Sequence, residues 1–104
     1  MNYTTYTKKD IALQFSKQNQ VPYHISKKYV TSLFESMTKY LMQDKSNLRI
    51  ELRNFGVFTL KPVKGKPKAR NPRTNKIVKV PPHRKVSFKP SKIIKKELMK
   101  KWPQ

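Results

Sequence analysis

The sequence predicts an α+β fold: two N-terminal helices, a three-stranded antiparallel sheet with a long protruding β-ribbon arm, and a C-terminal helix, two such chains forming a homodimer. Three observations predict it. Val30, Leu33, Phe34, Met37 and Leu41 recur at helical spacing. From Asn47 the period drops to two, with Leu48, Ile50 and Leu52 alternating with Arg49, Glu51 and Arg53. Residues 61–82 then carry Lys or Arg every two or three positions, and only Val63 and Ala69 are apolar between Lys61 and Lys76.

Each element has a local reason. Thr7-Lys8-Lys9-Asp10 reads as an N-cap with an acidic partner three residues on, opening a helix from about Lys8 to Asn19. Ile11, Ala12 and Phe15 share its expected buried face. Pro22 is expected to exclude helix across the following turn, and Ser26 to cap a second, longer helix reaching about Gln43. The stretch from Asn19 to Ile25 then reads as a long interhelical turn. The apolar stripe of the second helix is wider than one short helix can cover, so it is expected to pack against a second copy as well.

The period-two run is a half-buried strand. Asn54-Phe55-Gly56 supplies a turn, and Val57-Phe58-Thr59-Leu60 begins a second strand. A third returns through Ile77-Val78-Lys79-Val80, is interrupted by Pro81-Pro82 and resumes at Val86-Ser87-Phe88. Proline cannot donate to a ladder, so Pro62, Pro67, Pro81 and Pro82 restrict the arm, about residues 61–82, to a two-stranded ribbon without outside neighbours. Residues 71–75 form its tip, where Pro72 pre-sets φ and Asn75 tolerates positive φ. Pro90-Ser91 opens a last helix through about Lys101, with Ile94 and Leu98 facing inward and Trp102 in the core, or else a lid over it.

The charge selects the partner. The formal net charge is +20 over 104 residues; residues 1–50 carry eight Lys/Arg against three acids, residues 51–104 seventeen against two. No Asp or Glu lies between Glu51 and Glu97. A segment so basic and so poor in apolar side chains cannot offset its own ordering entropy, so a polyanion is expected to hold it. Nucleic acid fits best, ahead of an acidic membrane surface or an unemployed solvated surface. No cysteine, metal spacing or nucleophile motif is present, the five acids are scattered, and His24 and His83 are far apart. Neither an enzyme nor a cofactor nor a small-molecule substrate is expected. The chain lacks a long apolar run, so no membrane association is expected. So little core in a chain of this length implies a homodimer.

Asn54-Phe55-Gly56-Val57-Phe58, Arg70-Asn71-Pro72-Arg73-Thr74 and Ser87-Phe88-Lys89-Pro90-Ser91-Lys92, in this order, resemble the bacterial HU/IHF family of DNA-bending proteins. The resemblance covers residues 7–102 as a single DNA-binding domain, with residues 1–6 an extension. It implies an intertwined dimer in the bacterial cytoplasm, associated with the nucleoid, whose arms wrap double-stranded DNA through the minor groove. The arm-tip proline falls on Pro72, which would wedge between base pairs, and Arg70 and Asn71 would lie along the groove floor. Phosphate-contacting body positions map to Lys8, Arg84, Lys89, Lys92 and Lys95. Departures from the family pattern are the stretch Asn19 to Ile25, longer than the usual interhelical turn, the extra residues 1–5, Asn54 in place of a common glycine, Asn75 where glycine often follows the tip, and Pro90-Ser91 in place of a small-residue pair.

These roles suit the residue types. A proline ring is rigid and apolar and buries no unpaired N–H, so it makes an efficient wedge, although a plain turn proline is the alternative. Arg70 and Arg73 suit the negative potential of a narrowed minor groove, and Asn71 can meet the acceptors of A·T pairs. Arm lysines 64, 66, 68, 76 and 79, with Lys85 beside Arg84, are candidate phosphate contacts or simply solvated charges. The N-termini of the first and last helices, near Lys8 and Lys92, offer further N–H groups. Minor-groove readout is degenerate, so little sequence preference is expected. A ribosomal-type RNA-binding protein is the alternative, though A-form RNA suits a pair of wedge-tipped ribbons less well.

Overall fold

A computed structural model describes residues 2–100 and 102, apart from the side chain of residue 69. Contacts divide the chain into two compact units, Met1–Gln43 and Asp44–Gln104. The first is helical. Helix α1 spans Lys8–Asn19, and Asp10 Oδ2 accepts hydrogen bonds from the Thr7 N–H (2.8 Å) and hydroxyl (3.0 Å). The helix ends at Gln20, which takes φ 53° and donates its N–H to Ser16 O.

Helix α2 spans Tyr23–Leu41 and begins four residues earlier than expected, with Pro22 rather than Ser26 as its N-cap. Pro22 excludes nothing here. At φ −60° and ψ 147° its own carbonyl already accepts from Ile25 and Ser26 N–H at 3.1 Å, and the first turn of a helix needs no N–H from the residue before it. The interhelical connection is therefore only Gln20, Val21 and Pro22. Ser26 lies inside the helix, wholly buried like Ala12 of α1 and Val30 of α2. Ile11 does not join them and is exposed. The α2 stripe is covered only at Val30; Met37 and Leu41 are half-buried, and Leu33 remains 59% exposed.

In the second unit β1 (Leu48–Leu52), β2 (Gly56–Val63) and β5 (His83–Pro90) form an antiparallel sheet in the order β1-β2-β5. The registers Ile50↔Phe58↔Phe88 and Leu48↔Leu60↔Val86 place one apolar row on one face. Phe55, Phe58 and Phe88 cluster there with ring centroids 4.8–6.4 Å apart, and Leu60 is buried. The β1–β2 turn needs a left-handed residue, and Asn54 supplies it at φ 68°. Ser91 locks this turn to the next element. Its N–H donates to Phe55 O (2.9 Å), its hydroxyl donates to Asn54 O (3.1 Å), and the same oxygen accepts from Ile94 N–H (3.4 Å), capping α3. Asn54 and Pro90-Ser91 thus act as one connected unit.

The ribbon pairs β3 (Lys66–Arg70) with β4 (Ile77–Val80) as a separate two-stranded sheet. A register irregularity between Lys66 and Ala69 brackets Pro67, where a ladder N–H is missing. Pro62 lies in β2 beyond the end of the β1 ladder, at Leu48↔Leu60, so it faces a partner only on β5. The interrupted third strand resolves into β4 and β5, the latter starting at His83, before the expected Val86. Gly65 sits at the break, where a Cβ would stand 2.6 Å from Val80 O and 2.7 Å from Pro82 N.

Helix α3 spans only Lys92–Leu98. The expected end at Lys101 lies outside the described residues. Leu98 and Trp102 were expected inside, but they are 71% and 80% exposed. A helix of seven residues packed mainly on β5 has only Ile94 within reach of its own sheet, so the later apolar residues find no cover in this chain.

Two predictions follow from this packing. Gly56→Ala should destabilise the sheet by about 1–3 kcal/mol, as overpacking does, because its Cβ would stand 2.5 Å from the Lys89 carbonyl and 2.6 Å from the Phe88 ring. Urea unfolding measures this, and an unchanged midpoint would contradict the packing. The second concerns Asp10, whose carboxyl is held below the ordinary carboxylate range by the Thr7 N–H and then by the Thr7 hydroxyl. Because the folded value is depressed, the cap stabilises α1 fully above the ordinary range and stops doing so as pH falls through the depressed value. An NMR titration of the Thr7 amide should show its midpoint below that of an unstructured aspartate, and Asp10→Asn should remove the transition.

Candidate nucleic-acid interface

The tip of the ribbon is built by Asn71. Its N–H donates to Lys76 O (2.8 Å), and its carbonyl accepts from Asn75 N–H (2.7 Å). Its side-chain Oδ1 accepts from Arg73 N–H (2.9 Å), and Thr74 Oγ1 accepts from Lys76 N–H (3.4 Å). Asn75 closes the turn at φ 58°, a conformation asparagine tolerates without glycine. Within this loop Pro72 is exposed at its outer end, flanked by the exposed side chains of Arg70 and Arg73. With Oδ1 committed to the turn, Asn71 has its amide NH2 left for a ligand. That group is a pure donor, and the minor groove of A·T pairs presents only acceptors.

Below the tip, pairing decides which cations act together. Arg70 faces Ile77 across the ribbon, and strand alternation places Lys79 on the same side. Lys66 pairs with Val80, on the side of Val78, so the arm lysines do not all line one face. Lys64 lies in the β2–β3 link and Lys76 in the tip loop, both exposed, as is Lys68. No carboxylate belongs to the ribbon, so nothing in it neutralises these charges.

On the sheet, Lys85 and Lys89 of β5 share the polar face with Lys61 and Thr59 of β2 and with Arg49 and Glu51 of β1, which pair at 3.0 Å. Arg84 falls on the other side. It faces Pro62 in the apolar row, and its Nη1 donates to Lys45 O at 2.9 Å. Lys61 and Arg49 were not singled out from the sequence, although the alternation of β1 and β2 already placed them opposite the apolar row.

Lys92 and Lys95 are exposed on α3. The helix is short and its Ile94 N–H is taken by Ser91, so its N-terminus adds little to the lysines themselves. Lys8 is exposed at the start of α1 and is the one candidate in the helical unit. His24 sits in the first turn of α2, and His83 opens β5. Among the described residues no group of three or more His, Cys, Asp or Glu could hold a metal ion. Nor, among them, is any helix long and apolar enough to cross a membrane.

Comparison with known proteins agrees with this arrangement. Residues 6–99 match the family model described as "Bacterial DNA-binding protein". The integration host factor subunit alpha of Hydrogenovibrio crunogenus is 33% identical over 92 residues, covering 88% of this chain and 91% of that protein. An Anabaena HU–DNA cocrystal structure superposes with a TM-score of 0.74 at 20% identity, covering 90% of this chain and 98% of the HU chain, a likeness of fold. The matched family is one of DNA-binding proteins, which leaves the ribosomal-type RNA-binding alternative without support. The chain belongs to the HU/IHF family of bacterial DNA-binding proteins.

Proposed function

We propose that two copies of this chain grip one DNA duplex and bend it, each ribbon lying in the minor groove with Pro72 unstacking a base step. The observation that carries this reading is the tip: an exposed, rigid apolar ring on a turn fixed through Asn71, ending a ribbon without carboxylates. Minor-groove architectural proteins insert an apolar wedge for this purpose, because a kinked duplex wraps more protein surface. Arg70 and Arg73 enter the groove, and the Asn71 amide donates to base acceptors. Lys64, Lys66, Lys68, Lys76 and Lys79 hold phosphates along the ribbon, and Lys85, Lys89, Lys92, Lys95 and Lys8 hold them along the body. Arg84 serves less directly, since its guanidinium is engaged with Lys45 O.

The second copy covers what one chain leaves open: Leu33 and Phe34 on α2, Phe55 and Phe88 on the sheet, and Leu98 on α3. Residues 7–102 of each copy act as one DNA-binding domain, with residues 1–6 an extension. The protein works as an architectural component of the bacterial nucleoid, in the cytoplasm, and not as an enzyme. Phosphate contacts dominate and the minor groove is read degenerately, so sequence preference is slight.

End-to-end energy transfer on a labelled duplex of about 35 base pairs, roughly three helical turns, tests the reading. Wild type should draw the ends together. Pro72→Ala should bind with modestly lower affinity and bend less, since unstacking costs about a few kcal/mol per step that the ring no longer meets. On DNA carrying two flexible defects the loss should shrink. A Pro72→Ala variant that bends intact duplex as sharply as wild type would rule out the wedge.

A further inference from the structure

We infer that His83 is a proton-gated phosphate contact at the root of each arm, so that binding a DNA duplex takes up a proton there. The inference rests on the reading that the polar face of the sheet meets DNA. His83 is exposed and opens β5 opposite Val63, on the same face as Lys85 and Lys61. Its Nδ1 lies 3.0 Å from Pro81 O. A carbonyl oxygen only accepts, so Nδ1 carries the hydrogen in the neutral ring and Nε2 is left as a bare acceptor. Pro81 lies in the gap between the two ladders, after the Lys66↔Val80 pair and before Val63↔His83. The tautomer is thus set by the way the arm joins the sheet.

The neutral ring presents a lone pair to any phosphate lying over Lys61 and Lys85. That contact is repulsive. Adding one proton leaves the Nδ1 bond intact, turns Nε2 into a donor and places a positive charge beside the phosphate. Imidazole is the side chain that ordinarily changes charge between pH 5 and 8, and a neighbouring phosphate favours its charged form. The charged groups around it are Lys61 on β2, Lys85 on β5 and Lys64 in the β2–β3 link, while Arg84 faces the other way. No carboxylate lies on β2, β3, β4 or β5. Glu51 shares the polar face but sits at the far end of β1, paired with Arg49, and Asp44 adjoins Lys45, whose carbonyl engages Arg84 on the other side.

Calorimetric titration of a 35-base-pair duplex at fixed salt, repeated in buffers of different ionisation enthalpy, reads the proton directly. Wild type should take up protons on binding, and its affinity should rise on acidification by up to about tenfold per pH unit for each full proton taken up. His83→Gln should lose the uptake, and His24→Gln should retain it. His83→Lys, a permanent cation, should bind without the pH dependence. Tight binding by wild type with no uptake, or uptake that persists in His83→Gln, would overturn the inference while leaving DNA binding standing. No binding at any pH would overturn the functional reading beneath it.

Discussion

A basic ribbon without carboxylates cannot be held by its own charges, and much of the structure answers that constraint. Seventeen Lys and Arg against two acids in residues 51–104 leave no ion-pair network to draw on. The ribbon has no core either, so its order comes from backbone geometry. Prolines remove conformations and unpaired donors, Gly65 lets the two strands close at the root, and Asn71 holds the tip through backbone and side chain together. Rigidity is placed where the proposed wedge needs it. The charge is left free for a polyanion, whose released counterions provide the driving force.

The same economy shapes the body. Among the described residues the buried apolar side chains are Ala12, Val30 and Leu60, far too few to hold 104 residues together. Phe55, Phe58 and Phe88 form a cluster, yet Phe88 is still 43% exposed. Side chains of this size are expensive to leave in water. The proposed second copy accounts for them, and it also presents two arms to one duplex, which a monomer could not do.

Much of this was legible in the sequence because it is written in short-range patterns. The capping residues of α1, the alternation of β1 and the proline-bounded ribbon depend on neighbours a few positions apart, and each appears where its pattern places it. The start of α2 was misread because proline is a helix breaker only inside a helix, and Pro22 stands just before one. Leu98 and Trp102 were assigned to a core that one chain does not build. At the interface, alternation separated Lys85 and Lys89 from Arg84, and the Lys45 carbonyl that engages Arg84 is a contact across the chain that no local pattern reveals. The tie from Ser91 to Asn54 is of the same long-range kind.

The central claim is that phosphates, gripped by arms and body together, hold the complex. The most direct test is the salt dependence of wild-type affinity for a duplex long enough for both arms. Each neutralised phosphate contributes about −0.9 to the slope of log K against log salt, so on the order of five phosphates per chain in a dimer predicts a slope near −9. A slope of about −2 would mean that only two phosphates are neutralised and that the basic ribbons do not grip the duplex.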